Sequence, residues 1–598
     1  MMQSAPASVL DAIAVPRPHP FVVAHDGLDT AVPLLFEGVL FNRHELAEVL
    51  APERPDLDDA ALVALAYGRW QDQFISRLKG QFAVVIWDRA RRTWLAARDA
   101  IGVHPLFYAR VNGQTVFASS IDAVLAHPGV SRDLNRPALV DHLCHRWPDT
   151  GETFFTAVRR VPCGSIVNSV DGAVTVRRYW DPVPAGRPVQ WVHPDEAVDQ
   201  FQRLFVQAVD RGVSRGRSGI FLSGGLDSVS VAAAATERAP VFGYPEPFAL
   251  SLAFPHPTCD ERDVQAGVAR RLGLEQDLIS MAQAVGPDGL LSDAVELSTG
   301  WPTLLLNNWA PAYARLAARG RAAGAEVILT GMGGDEWLGV TPYLAADMIR
   351  RGDWRGLAAS VTTWQRSFRA SRAKVVRQTF WTFGARPLAS AVLARVAPRA
   401  WHRSRWNRLL RSSPPWVAAD PELKQAMRAR TEQALTPARP QDGFYFQEMR
   451  LALDHALVTL EYEENFELGA RLGVRFQHPY CDVDLVDMLC RTPPEVLNRG
   501  GRAKGLVRDA LERRFPALGF GAQRKIAATD YSRQLLRTEG AVAWQRCGGL
   551  PALGALGVVD AEAARVAGER ALEGKDAREL YRAFELVKLE RWVRARLN

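Results

Sequence analysis

The chain has 598 residues, 47% of them apolar and 23% charged, and a formal net charge of +7. This composition is typical of a folded globular protein. The length excludes a single core, because domains usually have roughly 100 to 200 residues, and it therefore predicts about three domains. Neither a basic start followed by an apolar core nor a run of about 18 uninterrupted apolar residues occurs, which argues against an export signal and a membrane span and predicts a cytoplasmic protein.

The six cysteines are scattered along the chain and form no Cys-x-x-Cys pair. Disulfide frameworks and structural zinc sites use cysteines at recognisable paired spacings. The pattern therefore favours reduced, buried thiols and predicts no structural metal. These residues are Cys144, Cys163, Cys259, Cys481, Cys490 and Cys547.

The first third of the chain is predicted to be rich in β-structure. Short runs of β-branched and aromatic residues are separated by turn residues at the spacing of hairpins, and a helical run follows the first of them. Several such strands imply stacked sheets, so we expect an α+β sheet sandwich here. The predicted strands cover residues 32–42, 82–88, 93–99, 105–108 and 115–118, and the helical run covers residues 44–48.

Three spaced motifs in this part resemble the glutaminase domain of asparagine synthetase. The resemblance implies an N-terminal nucleophile (Ntn-type) domain over residues 1–185. The motifs are Gly38-x-x-x-Asn42-x-x-Glu45-Leu46, Leu78-x-Gly80-x-Phe82 and Arg98-Asp99-x-x-Gly102-x-x-Pro105-Leu106.

The nucleophile of that family domain is a cysteine exposed at the N-terminus, where its own α-amine can act as base. This chain begins Met1-Met2-Gln3, and its first cysteine is Cys144. The domain is therefore expected to be degenerate, to make no ammonia from glutamine and to support the second domain. Arg98 and Asp99 could be interpreted as a substrate clamp, but a fold-stabilising pair is the favoured interpretation.

A Pro-containing linker at residues 180–188 precedes a second domain over residues 195–598, which starts with a helix at residues 195–213.

An apolar run then enters Ser223-Gly224-Gly225-Leu226-Asp227-Ser228, and an Ala-rich helix leaves it. This order directs backbone amides and a helix N-terminus at one spot, which favours an anion. Gly224 and Gly225 permit close approach of a pyrophosphate, Ser223 and Ser228 add hydroxyl donors, and Asp227 supplies an oxygen ligand for Mg²⁺.

The string resembles the pyrophosphate loop of ATP pyrophosphatases, which lacks the lysine of the Walker loop. Those enzymes cleave ATP between the α and β phosphates and adenylate a substrate. Further strands alternate with helices and predict a parallel, doubly wound α/β sheet whose ligands lie at the carboxyl ends of the strands. A second loop at residues 331–336 then places Asp335 opposite Asp227 as the second Mg²⁺ ligand. The resemblance implies that the adenine and ribose contact the main chain of Leu222, Leu250 and Gly331.

Residues 350–411 form a basic, tryptophan-rich insertion with roughly fifteen Lys and Arg against a single acid, Asp353. Tryptophans interleaved with arginines predict an amphipathic surface that binds a peptide or partner protein. The alternative is a helical insertion whose tryptophans are core and whose arginines are solvated. The tryptophans are Trp354, Trp364, Trp381, Trp401 and Trp406.

An acidic cluster precedes a second group of family-like motifs. One of its members could act as a base, or the four could form a solvated helix face. The motif that follows, at residues 479–486, resembles the family's Pro-Phe-Leu-Asp element, but Arg475 stands where the family usually has Glu, so its substrate contacts are not carried over. The cluster consists of Glu461, Glu463, Glu464 and Glu467.

Residues 502–510 resemble the family's Gly-x-Lys-x-x-x-Arg-x-Ala helix. The resemblance implies that Lys504 neutralises phosphate charge and the oxyanion of the acyl-transfer intermediate. Arg524 and Lys525 are weaker candidates for substrate or pyrophosphate contact, and surface charge is the favoured interpretation of this pair.

Together these motifs resemble an asparagine synthetase without the terminal cysteine and imply an AMP-forming, amide-forming ligase that uses ATP and Mg²⁺. Without ammonia from glutamine, the amine must come with the substrate, which favours intramolecular closure. Lasso peptide cyclases and β-lactam synthetases are two such branches. The chain length, the basic insertion, and Met332 in place of the tyrosine of β-lactam synthetases favour the former.

The expected reaction joins the N-terminal amine of a precursor peptide to an Asp or Glu side chain and closes a macrolactam ring. The resemblance implies the core peptide as substrate, with a leader-peptide-binding protein and a leader peptidase as further partners, and neither nucleic acid nor membrane. The alternatives are closure of a small β-lactam-type ring, glutamine-independent amidation, and a basic protein that binds nucleic acid or a partner.

Overall fold

The structure is a computed structural model that describes residues 34–88, 90–91, 93–170, 173–183, 186, 188–435, 443–453, 455–574 and 576–597. The chain start at residues 1–3, on which the degenerate glutaminase prediction depends, lies outside the described residues. Residues 32–33 of the first predicted strand and residues 184, 185 and 187 of the predicted linker lie outside them as well.

Two antiparallel sheets form the N-terminal part, and they are ordered β1-β2-β3-β7-β8 and β5-β4-β6. The strands are β1 (Leu34–Leu40), β2 (Gly80–Asp88), β3 (Thr93–Arg98), β4 (Phe107–Val111), β5 (Gln114–Ala118), β6 (Val158–Arg160), β7 (Ser165–Val170) and β8 (Ala173–Arg178). The helices are α1 (Arg43–Leu50), α2 (Asp59–Trp70), α3 (Ile121–Leu125) and α4 (Arg136–Leu143).

The alternation of β2 explains the layering of this part. Phe82, Val84 and Ile86 point into the apolar layer beneath α1 and α2, whereas Ala83 and Val85 face the second sheet. A strand sends successive side chains to opposite faces, so a strand buried on both faces reads as a continuous apolar run. The sheet is therefore the middle layer of the N-terminal part.

The second part is built on a five-stranded sheet ordered β11-β10-β9-β12-β13, in which every neighbouring pair is parallel. All six residues of β10 are buried, as is usual where helices cover both faces of a parallel sheet. The strands are β9 (Ser218–Phe221), β10 (Phe248–Ala253), β11 (Gln276–Ser280), β12 (Val327–Leu329) and β13 (Arg475–Gln477).

Helices connect and surround these strands. Up to the insertion they are α5 (Pro194–Val213), α6 (Leu226–Arg238), α7 (Arg262–Leu272), α8 (Met281–Ala284), α9 (Leu290–Thr299), α10 (Ala310–Ala322) and α11 (Gly334–Trp337). The insertion and the helix after it comprise α12 (Leu344–Arg351), α13 (Trp354–Ser367), α14 (Arg372–Arg377), a π-helix (Gln378–Ala385), α15 (Arg386–Val396), α16 (Pro398–Ser412) and α17 (Pro421–Ala434). The rest are α18 (Phe444–Leu453), α19 (Ala456–Leu472), α20 (Val483–Cys490), α21 (Pro494–Leu497), α22 (Gly505–Arg514), α23 (Thr529–Cys547), α24 (Pro551–Ala555), α25 (Ala561–Glu573) and α26 (Ala577–Leu597).

The insertion has little core of its own. Helix α15 buries none of its residues, and α16 buries only Trp401. Trp354 and Trp381 are each 58% exposed, so the interpretation of the tryptophans as core is wrong for these two. The pair α15 and α16 therefore presents most of its side chains to solvent.

The two parts meet in a buried interface. Arg98 and Arg160 of the N-terminal part both hold Glu463 of α19, with Arg160 donating to its two oxygens at 2.6 and 2.8 Å. Among the helices that the structure describes, none combines the length and apolarity needed to cross a bilayer.

Candidate active site

The first glycine loop connects β9 to α6 and is held by its own serines. The Ser223 amide donates to the Ser228 hydroxyl at 3.1 Å, and the Gly225 amide donates to the Ser223 hydroxyl at 3.1 Å. The two hydroxyl oxygens are 2.9 Å apart. Both predicted hydroxyl donors thus shape the turn, and Gly225 stands at the N-cap of α6, where unpaired backbone amides favour an anion.

The second loop follows β12 and packs directly against the first. A Cβ at Gly331 would lie 2.7 Å from the Ser228 amide, and one at Gly334 would overlap the carboxylate of Asp227. Gly333 has a φ of +93°, which a side chain disfavours. Glycines are therefore required for the approach that brings Asp335 next to Asp227.

Lys504 joins the two loops. Its ammonium lies 2.5 Å from Asp227 Oδ2 and 2.7 Å from Asp335 Oδ1, and Lys525 Nζ lies 2.9 Å from Asp335 Oδ2. The structure thus brings together the two predicted metal ligands and the predicted catalytic lysine, from three distant parts of the chain. Lys525 is exposed, as the surface interpretation expected, but it also pairs with Asp335.

The charges of this cluster depend on both burial and pairing. Burial raises the pKa of Asp227, although Lys504 acts in the opposite direction. Burial alone would raise the pKa of Asp335, but Lys504 and Lys525 outweigh it and lower that pKa. Burial likewise opposes the charge of Lys504, and the two carboxylates outweigh it and raise the lysine pKa. The lysine is therefore held as an ammonium ion between the carboxylates.

The carboxylate oxygens of Asp227 and Asp335 fit a Mg²⁺ ion that binds together with a nucleotide. Asp227 Oδ1 is buried and has no hydrogen-bond partner in the described part of the chain, and Asp335 is about half exposed. Over the described residues, no group of three or more His, Cys, Asp or Glu is placed to hold a metal alone. Mg²⁺ is commonly bound by one or two carboxylates together with substrate phosphates, which matches this arrangement.

Two cavities adjoin the loops. One has a volume of about 610 Å³ and the other about 540 Å³, and Ser223, Gly225, Asp227 and Glu261 line both. The smaller cavity contains Asp335, Lys504 and Lys525. The larger one contains seven of the eight predicted nucleotide-binding residues, which are Leu222, Ser223, Gly225, Asp227, Ser228, Leu250 and Gly331.

Gly224 is the eighth predicted nucleotide-binding residue, and it lines neither cavity. A Cβ there would be 2.8 Å from Glu261 Oε1, and the Gly224 carbonyl accepts a hydrogen bond of 2.8 Å from the Gln523 side chain. Sequence reasoning missed both Glu261 and Gln523. The only signal for Gln523 was its position next to Arg524 and Lys525.

The acidic cluster of α19 is not a solvated face. Glu463, Glu464 and Glu467 are at most 7% exposed, because α19 lies between the two parts of the molecule. Glu463 binds the interface arginines, and Glu467 Oε1 accepts a 2.6 Å bond from Arg471. These two glutamates are therefore structural.

Glu461, like Glu464, lines the larger cavity. Burial and the carboxylate of Glu336 raise its pKa to about 7. Glu464 lines the same cavity and has a pKa raised by burial to about 8, but its carboxylate accepts from the backbone amides of Leu306 and Asn307. Of the four glutamates, Glu461 alone combines access to the cavity with no such backbone bond.

The motif at residues 479–486, which includes the start of α20, makes structural contacts. Asp482 caps α20 through the amides of Asp484 and Leu485 and forms a 2.5 Å ion pair with Arg211. Arg475 lies on β13 and is exposed. Neither residue lines the two cavities beside the loops.

Arg98 and Asp99 bind different groups rather than each other. Arg98 is fully buried, and its guanidinium donates to the carbonyls of His104 and Gly102 at 2.9 and 2.6 Å as well as to Glu463. Asp99 accepts from the backbone amides of residues 102–104. These contacts agree with a fold-stabilising role, and they leave Arg98 committed to the interface.

Comparisons with known proteins give two family matches. Residues 200–594 match the asparagine synthase family, and residues 19–180 match the glutamine amidotransferase domain family. Glutamine-hydrolyzing asparagine synthetase 3 of Bacillus subtilis (strain 168) is 31% identical over 210 residues, which cover 34% of this chain and 33% of that protein. Asparagine synthetase 1 of the same organism is 26% identical, covering 51% of this chain and 47% of that protein.

Amidase chyE of Penicillium rubens is 28% identical over 372 residues, which cover 58% of this chain and 53% of that protein. The chain thus spans between a third and about half of the length of these curated relatives.

Proposed function

The chain belongs to the asparagine synthase family, and from this premise we propose that it is an ATP-dependent, AMP-forming ligase that closes an amide bond within a precursor peptide. The peptide's N-terminal amine is joined to an Asp or Glu side-chain carboxylate, which gives a macrolactam ring of the lasso type. The observation that carries the proposal is the position of Lys504, which lines the smaller cavity and pairs with Asp335 and with Asp227, a residue that lines both cavities.

The first step activates the carboxylate. A carboxylate oxygen of the peptide attacks the α-phosphorus of ATP, the bond to the β-phosphate oxygen breaks, and pyrophosphate leaves. Lys504, Lys525 and Arg508 line the smaller cavity and offset the charge of the leaving group. Mg²⁺ bound by Asp227, Asp335 and the phosphates would add further charge neutralisation.

The second step forms the amide. The peptide's amine attacks the acyl carbon, and AMP leaves with the bonding electrons of the acyl–oxygen bond. The amine loses a proton in this step, and Glu461 is the group in the larger cavity with a pKa suited to accept it near neutral pH. Met332, which lines the same wall, has no proton to exchange.

The lining of the larger cavity supports a substrate with apolar side chains beside the nucleotide. The two adjoining cavities, of about 610 and 540 Å³, are each within the 300 to 1,000 Å³ range of ligand pockets, so a second ligand has room next to a nucleotide. The larger cavity has an aromatic wall beyond the predicted nucleotide residues, and side chains of this kind suit extended apolar substrates. The wall consists of Trp301, Trp309, Tyr313 and Tyr581.

The test is to incubate the chain with ATP, Mg²⁺ and candidate core peptides and to read the peptide mass. We expect loss of one water from the peptide together with equal amounts of AMP and pyrophosphate. An N-acetylated peptide is the matched control, because it can be adenylated but has no amine to close the ring. Conversion of a carboxyl to a primary amide only when ammonia is added would favour the amidation alternative. Turnover of ATP to ADP would contradict both.

A further inference from the structure

The insertion carries a dense and nearly unpaired positive charge. Within the described part of the chain, Asp347 on Arg350, at 3.2 Å, is the only carboxylate in an ion pair with the cations of residues 350–411. The segment's single acid, Asp353, is engaged as the N-cap of α13, where it accepts from the Gly356 amide at 2.8 Å. The remaining arginines therefore face solvent or one another.

Arg408 lies among other guanidinium groups of the insertion, which repel it. Burial and the neighbouring guanidinium groups of Arg386, Arg405 and Arg411 lower its pKa. Like charges at close range cost free energy that an anionic partner would offset. The surface is thus electrostatically complementary to an acidic ligand.

The same surface exposes large apolar side chains. These lie between the cations on α14, the π-helix, α15 and α16, and most of them are aliphatic. Their concentration in one basic segment favours a contact surface. The residues are Val376, Phe380, Trp381, Val392, Leu393, Val396 and Leu410.

Helix α13 connects this surface with the candidate active site, because Trp364 stacks on Phe383 of the π-helix with ring centroids 6.4 Å apart. Trp364 and Phe368 at the end of this helix stack at 4.8 Å and line the smaller cavity. Ser367 lies between them, and its hydroxyl accepts from the Ala503 amide at 2.8 Å while its carbonyl accepts from the Lys525 amide at 2.9 Å. A chain lying along the insertion would therefore be led to the lysines.

We propose that the exposed face of residues 372–411 binds an acidic segment of the substrate peptide that carries aliphatic or aromatic side chains and lies outside the ring-forming part. This inference rests on the proposed function. The aliphatic groups favour peptide side chains over stacked bases, which would select aromatic platforms. The continuity with a cavity favours a narrow chain over the flat surface of an anionic bilayer.

Fluorescence anisotropy of a labelled peptide made of repeated Glu-Phe-Glu-Leu units tests this surface on the full chain. We expect binding that weakens with salt, and little binding of the matching Lys-Phe-Lys-Leu peptide. The variant Arg395→Ser/Arg399→Ser/Arg403→Ser removes three exposed cations and should weaken binding about tenfold, because each exposed ion pair contributes only a modest part of the affinity. Val396→Ser, which removes an exposed aliphatic group, should also weaken it.

The matched control is Arg270→Ser/Arg271→Ser/Arg513→Ser, which removes the same charge from exposed sites elsewhere. It should bind the acidic peptide as the unmodified chain does. Equal losses in both triple variants, or none in either, would overturn the proposal. So would tighter binding to phosphatidylserine vesicles or single-stranded DNA than to the peptide, lost in the first variant only. The assay contains no nucleotide, so its result stands even if the ligase reaction fails.

Discussion

At the scale of single residues, the site pairs the ammonium groups of Lys504 and Lys525 with the carboxylates of Asp227 and Asp335. Lys504 occupies the space between Asp227 and Asp335 that a divalent cation would share with phosphates. If Asp227 and Asp335 hold Mg²⁺ together with a nucleotide, the Lys504 ammonium would pair with the phosphates instead. Glu461 lies outside this cluster, because it lines the larger cavity and not the smaller one that contains Lys504 and Asp335.

The first prediction concerns the two carboxylates. Asp227→Asn and Asp335→Asn should each lower the rate of pyrophosphate release by about 10²-fold or more, because the charge that holds the metal and the phosphates is lost. A continuous pyrophosphate assay measures this, with circular dichroism to verify the fold. Asp263→Asn, an exposed acid at the start of α7, is the control. Normal release in both variants would refute the metal assignment.

The second prediction is that Glu461 acts in ring closure and not in adenylation. Its carboxylate must be ionised to accept a proton, and its pKa is about 7, so ring closure should increase as the pH rises through 7 and then level off. Glu461→Gln should lose this increase and slow closure by about 10² to 10⁴-fold while pyrophosphate release continues. Parallel pH profiles of cyclised peptide and pyrophosphate give the measurement. Exposed Glu569→Gln is the control, and an unchanged profile in Glu461→Gln would contradict the role.

At the scale of elements, the end of α13 holds the segments that carry both lysines. Ser367 is 2% exposed and binds the amides of Ala503 and Lys525, while Arg502 donates to the Arg366 carbonyl at 2.6 Å. Lys504 has a φ of +61°, an uncommon conformation for a residue with a side chain, so its placement depends on such neighbours. The insertion thus positions part of the site as well as extending from it.

Ser367→Ala tests this positioning. Loss of the Ala503 bond should let the lysine segment shift and lower kcat by roughly 10 to 10²-fold, with little change in the KM for ATP. Steady-state kinetics with varied ATP and peptide resolve the two parameters. Ser412→Ala removes a hydroxyl that bonds only within its own exposed helix end and should leave kcat unchanged. Equal effects of the two substitutions would argue against a positioning role.

At the scale of the whole molecule, buried charge joins the glutamine amidotransferase-like part to the synthetase part. Arg98, Arg160 and Glu463 are 0, 5 and 7% exposed, so none of them is solvated. Removing one member of such a cluster leaves an uncompensated charge in the interior. The N-terminal part therefore stabilises the helix that carries Glu461, whatever its own chemistry.

Glu463→Ala should accordingly destabilise the fold by about 3 to 5 kcal/mol. Differential scanning calorimetry should show a lower Tm for the transition that includes the interface. Glu296→Ala breaks an exposed pair with Arg591 at 3.0 Å and should change Tm little. An unchanged Tm in Glu463→Ala would show that the interface charges are dispensable.

The sequence by itself determined the features that depend on local backbone requirements. The loops at Gly224–Gly225 and Gly331–Gly334, together with Asp227 and Asp335, could be predicted because close approach demands glycine and because buried parallel strands are apolar throughout. Lys504 was predicted only from the resemblance of residues 502–510 to the family's helix. The tertiary structure alone decided that Ser367 belongs to the site, and that Glu461 and Glu464 of α19 line the larger cavity whereas Glu463 and Glu467 bind arginines. A helix presents different faces to different neighbours, and the contacts of α19 with both parts of the molecule decide which of its side chains are buried.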